Sequence, residues 1–170
     1  MNENDKVQNL KNDIVKDSYY LVNLFTENDK KVTQLQIQKL MYLFEAFYMC
    51  IEKESTLYNC NFNAWAFGPV AIPLYKEYKS FGSANIILSE EKIKQGNEMN
   101  LFKKKVMEKI YNNFGELSPE KLVNLTHMKG SPWYEKWMEN DKKVVYGEKS
   151  YIDKEKTRDW FAENFIEKSN

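Results

Sequence analysis

His127 is the single histidine of the chain, and Cys50 and Cys60 are its two thiols. These residue types could supply a nucleophile, a general base or a soft metal ligand. A Cys–His pair can be written with His127 and either cysteine. A site of several histidines is impossible with one histidine, and the cysteines are too far apart in sequence for a CxxC knuckle. No glycine-rich phosphate loop, HExxH or GxSxG sequence occurs. Both cysteines have aromatic or apolar sequence neighbours, so the plainer reading makes them small core residues. The sequence therefore yields no catalytic residue, no metal ligand and no cofactor.

The elements that would position these residues are mostly helical. From Val7, the apolar positions Leu10, Ile14, Leu21, Val22 and Phe25 recur at helical spacing and predict a first helix ending near Asn28. Thr33 with Gln36 three residues on forms a capping box for a second helix. Ile37, Leu40, Met41, Phe44, Phe47, Tyr48 and Ile51 make its wide apolar stripe and place it centrally in the core. Phe62 to Phe67 reads as extended or irregular, with Gly68-Pro69 breaking it. Pro73 falls in the first turn of the next helix, which ends around Phe81-Gly82. Ile86-Ile87-Leu88 is a strand or a loop, and Ser89-Glu90-Glu91 a helix start. Leu101–Phe114 is a helix stopped by Gly115. Ser118-Pro119 and Ser131-Pro132 each open another, the first terminated by Gly130. Residues 140–147 form a polar loop, Tyr151-Ile152 a short extended piece, and Asp153 caps a last helix. The expected fold is mainly α, one compact domain over residues 1–170 with about six to seven helices, at most a small two-stranded β element and a disordered tail at 1–6.

Composition narrows the function classes. The 170 residues carry 25 basic and 25 acidic side chains. That zero net charge lacks the basic excess by which proteins neutralise phosphate backbones or anionic membranes. Arg158 is the only arginine, which weakens any site built on bidentate arginine clamps. No apolar run reaches the ~18 residues of a membrane helix, and a cytoplasmic location is expected. Aromatics make up 15% of the chain, enough for a substantial core under a charged surface.

Three stretches in order resemble a known family. Thr33-Gln34-Leu35-Gln36-Ile37-Gln38-Lys39-Leu40-Met41-Tyr42-Leu43 is similar to a T-x-L-K-L-Q-K-L-L-Y-F helix start. Phe62-Asn63-Ala64-Trp65-Ala66-Phe67-Gly68-Pro69-Val70, followed by Pro73-Leu74-Tyr75 and Tyr78-Lys79, is similar to F-x-A-W-x-x-G-P-V-x-P-x-L-Y-x-x-Y-K. Leu122-Val123-Asn124-Leu125-Thr126-His127, then Pro132-Trp133, is similar to L-x-x-L-T-H and a later P-W. Together they resemble the Panacea domain, also described as the SocA-like or phage-associated GepA-like family. Gln36 replaces a lysine, Met41 a leucine, and Pro73 sits one place late. The resemblance implies a mainly helical domain without enzymatic activity or cofactor. It implies an antitoxin that neutralises, by direct contact, a protein toxin encoded by a neighbouring gene in a bacterium, prophage or mobile element. It also admits a protease adaptor working with an AAA+ protease, or a phage-borne modulator of a host protein. Direct nucleic-acid binding would need a helix-turn-helix or basic arm, and no segment is spare for one.

The motif residues admit two readings. In the structural one, Thr33 and Gln36 cap a helix, Gly68 and Pro69 shape a turn, Pro73 and Pro132 start helices, and Thr126 and His127 bond to the adjoining turn. Lys39 pairs with a carboxylate or, by default, lies on a solvated face. In the functional one, Trp65, Phe67, Tyr75, Tyr78 and Trp133 rim a partner-binding groove, since aromatic anchors dominate interface hot spots.

Overall fold

The computed structural model describes the backbone of residues 3–54 and 56–167, with side chains from Ile14 onward. Met1, Asn2 and the side chains of Val7 and Leu10 lie outside that range. The first helix, α1, already begins at Glu3 and runs to Glu27, so the expected tail over 1–6 is helical from Glu3.

α2 (Gln34–Glu52) forms the centre of the fold. Its helix is started by the Thr33 cap, where Gln36 Oε1 accepts from the Thr33 amide at 2.9 Å. Every residue from Gln36 to Ala46 is buried. The reason is that α2 is covered on all sides: α1, the hairpin, α3, α5, α6 and α8 pack against it. Replacing Leu40 or Leu43, both fully buried, by alanine costs about 2–5 kcal/mol at such a site.

Phe62–Trp65 (β1) and Gly68–Ala71 (β2) pair antiparallel around a two-residue turn, Ala66-Phe67. Gly68-Pro69 therefore opens a strand and does not break the segment. Pro69 pairs with Ala64, and it is tolerated because β2 is an edge strand, paired only with β1. Tyr151 bridges to Asn63 on the other side of β1, and the Ile152 amide donates to Phe62 O at 2.9 Å. The expected extended piece at 151–152 thus docks the hairpin.

The remaining helices follow. They are α3 (Ile72–Tyr78), α4 (Glu90–Asn97), α5 (Leu101–Phe114), α6 (Pro119–Thr126), α7 (Pro132–Glu139) and α8 (Lys154–Phe161). Ser89, Asn100, Ser118, Ser131 and Asp153 cap five of them, each side chain accepting from the amide three residues on. α6 ends at Thr126, before the expected Gly130. α4 crosses α1 so closely at Gly96 that a Cβ there would stand 2.6 Å from the Tyr20 amide nitrogen. The fold is mainly α with one small hairpin.

Two buried acids bind distant elements together. Asp17 of α1 accepts from Tyr58 Oη at 2.6 Å and from Lys103 Nζ of α5 at 3.0 Å. Glu45 of α2 accepts from the Tyr58 amide and from Lys154 Nζ of α8, both at 2.9 Å. Tyr58 itself is buried, so the loop between α2 and β1 is clamped from both sides.

Candidate functional site

The first two turns of α2 grip the hairpin through side chains. Gln38 behaves as an added strand residue: its Nε2 donates to Ala71 O at 3.0 Å, and its Oε1 accepts from the Ala71 amide at 2.8 Å. Lys39 reaches alongside, and its Nζ donates to Pro69 O at 3.0 Å. Lys39 is fully buried, which corrects the expectation of a solvated face or a carboxylate partner. Burial lowers its pKa to about 7. Its aliphatic stem dictates Gly68. A Cβ at that position would lie 2.6 Å from Lys39 Cε and 2.9 Å from Thr126 Oγ1, and Gly68 holds φ at +104°.

Behind this lies a second packed layer. Thr126 Oγ1 donates to Val123 O, and Ser131 Oγ donates to Thr126 O at 3.0 Å, closing the α6–α7 turn. Trp133 Nε1 donates to Trp65 O at 2.9 Å. His127 lies flat on Trp133, with ring centroids 3.6 Å apart and planes 4° from parallel. Its expected bond to the turn is absent among the described residues: its Nε2 is buried without a hydrogen-bond partner. Burial first, and the Lys39 charge second, hold the imidazole down to about 4. It is thus neutral at ordinary pH. Burial also raises both thiols, Cys60 to about 11, so neither is an activated nucleophile. Among the described residues no cluster of His, Cys, Asp and Glu could hold a metal ion.

A groove of about 810 Å³ opens where α2, the hairpin, α3, the start of α6 and the 140–147 loop meet. Its walls include Leu35, Lys39, Trp65, Phe67, Val70 and Tyr75. Phe67, at the hairpin turn, is 70% exposed, and Tyr75 is 41% exposed. Trp65 stands edge-on to Tyr75 at 5.6 Å and to Tyr146 at 6.1 Å.

The structure separates the five aromatics suggested for a groove. Trp65, Phe67 and Tyr75 line it. Tyr78 and Trp133 do not, and this corrects the grouping: Tyr78 is 1% exposed with its hydroxyl 2.6 Å from Ser18 Oγ, and Trp133 is 3% exposed beneath the hairpin. Of the motif residues, Thr33 and Gln36 cap α2 as expected, and Pro73 and Pro132 occupy first helical turns. Sequence reasoning missed Gln38, Val144 and Tyr146. The apolar run Val144-Val145-Tyr146 inside an otherwise charged loop was the available signal for the last two.

A family described as Antitoxin SocA-like, Panacea domain, matches residues 37–134. That stretch holds α2 beyond its first turn, the hairpin and the Thr126–Trp133 layer, and the chain belongs to this family. It is also similar to a curated relative from Caulobacter vibrioides (strain NA1000 / CB15N), Antitoxin SocA, with 28% identity over 113 residues. The match covers 62% of this chain and 60% of that relative, so it spans about three fifths of the relative's length. No solved structure matches. Among the described residues no helix is long and apolar enough to cross a membrane.

Proposed function

We propose that this chain is an antitoxin-like binding protein that neutralises a protein toxin by direct contact, and that the groove beside the hairpin is the contact surface. The family match over residues 37–134 carries the reading. The relative named Antitoxin SocA supports it. The raised thiol pKa values and the neutral, stacked His127 fit a binding role better than catalysis. The groove supplies what such contact needs: an apolar floor with exposed aromatic anchors on its edge.

The test is coexpression with the product of the neighbouring gene. The expected result is that the neighbour arrests growth alone and that this protein restores it. A neighbour that is harmless alone, or that stays toxic in the presence of this protein, ends the proposal. The surface is tested by Phe67→Ser. Phe67 is largely exposed, so the change leaves stability within about 0.5 kcal/mol and removes rescue. Full rescue by a stable Phe67→Ser variant moves the contact elsewhere.

A further inference from the structure

We infer that the groove takes an apolar segment of the partner protein bearing one carboxylate, whose oxygens accept from Lys39 Nζ and Trp65 Nε1. The inference rests on the partner-binding reading above and specifies its chemistry. Its motive is a mismatch among buried charges. Asp17 and Glu45 each lie against a lysine, Lys103 and Lys154. Lys39 is as buried as either, yet among the described residues it faces no carboxylate and its one acceptor is Pro69 O. An ammonium carries three donors, so two are left over. Trp65 lines the same groove, and its Nε1–H is buried with no hydrogen-bond partner. A buried amine that no counter-charge helps to hold its proton and an orphan N–H, on two residues that line one groove, are both costly, and one anion with two oxygens relieves both.

The remaining wall fixes the class of occupant. Leu35, Phe67, Val70 and Tyr75 are apolar or aromatic, and the sole arginine, Arg158, lies elsewhere, bonded to Glu54 O and Asp159. A single buried cation matches a single negative charge, so a carboxylate fits better than a phosphate. Phe67, Tyr75 and Val144, all lining the groove, leave much of their apolar surface exposed, as suits the length of a protein segment.

The experiment needs no toxin. The full ¹⁵N-labelled chain is titrated with hexanoate, hexanol and hexylamine, and the amides of Gly68, Val70 and Gly82 are followed by NMR. Hexanoate is expected to bind about tenfold tighter than hexanol, with hexylamine weakest. Lys39→Met should keep hexanol binding, which shows the groove intact, and bring hexanoate down to the same affinity. Trp65→Phe should weaken hexanoate by about threefold and serves if Lys39→Met does not fold. Hexanol binding as tightly as hexanoate overturns the inference, as does a preference that survives Lys39→Met or is untouched by Trp65→Phe. Self-association that shifts the same amides in the absence of probe also overturns it, because a second copy is then the occupant. Once a partner is in hand, saturating hexanoate should release it, and a partner that stays bound assigns the groove to something else. The coexpression test fails or passes independently of the titration, so the two failures are distinct.

Discussion

Replacing Lys39 by methionine should stabilise the protein near neutrality and remove a pH dependence from it. Methionine keeps the unbranched stem that passes Gly68 and deletes the ammonium. In the folded chain Lys39 loses its proton near pH 7, against 10.5 for an unburied lysine. Between those values the unfolded chain holds more protons, so parent stability rises with pH through this window. The burial penalty is complete below about pH 7 and gone above about 10.5. At 1.36 kcal/mol per unit, moving from pH 7 to 9.5 relieves roughly 3 kcal/mol. Against this stands the lost bond to Pro69 O, about 1 kcal/mol at every pH. Urea unfolding of both proteins, followed by far-UV circular dichroism from pH 6 to 9.5, gives the difference directly. Tyrosines and thiols titrate alike in the two chains and cancel. The variant should lead at pH 6, and its lead should shrink by about 3 kcal/mol by pH 9.5. Parallel stability curves across that range would refute the claim that Lys39 is buried without a counter-charge.

Other outcomes follow from the same geometry. Gly68→Ala forces a side chain into a +104° φ and against Lys39 and Thr126; thermal melts should show a loss of about 2–4 kcal/mol. Tyr78→Phe removes the hydroxyl that meets Ser18; it should cost about 1 kcal/mol in urea and leave toxin rescue unchanged, because Tyr78 is buried away from the groove. The His127 imidazole should stay neutral down to about pH 4 in an NMR titration, and the protein should lose stability as pH falls from 6.5 toward 4, where unfolded histidine protonates first.

The sequence makes the punctuation of this fold legible. Ser118-Pro119, Ser131-Pro132, Asp153 and the Thr33–Gln36 pair are local devices, complete within four residues, and each starts the helix it predicts. What sequence reasoning loses depends on elements that return from far away. Lys39 looks like a surface lysine because amphipathic reasoning assumes a helix with one wet face. α2 has none along its buried stretch, because the hairpin and α6 close over the side that carries Lys39. Gly68-Pro69 looks like a breaker because the partner strand, and the lysine stem that demands glycine, are not visible in a local window. The aromatics show the same divide. Periodicity identifies Tyr78 and Trp133 as large and apolar, but only the packing of α3 against α1 and of α7 against β1 decides that they are covered while Phe67 is not.

The clamp around Tyr58 makes distant parts of the chain depend on one another. Residues 17, 45, 58, 103 and 154 meet there, so the knot ties the first helix to the last across nearly the whole chain. Contacts of such long sequence separation slow folding. A nascent chain that has not yet exposed Lys154 would hold Glu45 buried beside no cation, and its hairpin would lack the Tyr151-Ile152 edge. The hairpin that carries Phe67 thus gains its outer edge, and Glu45 its counter-charge, only from residues 151–154, so a polypeptide that ends before them lacks both supports.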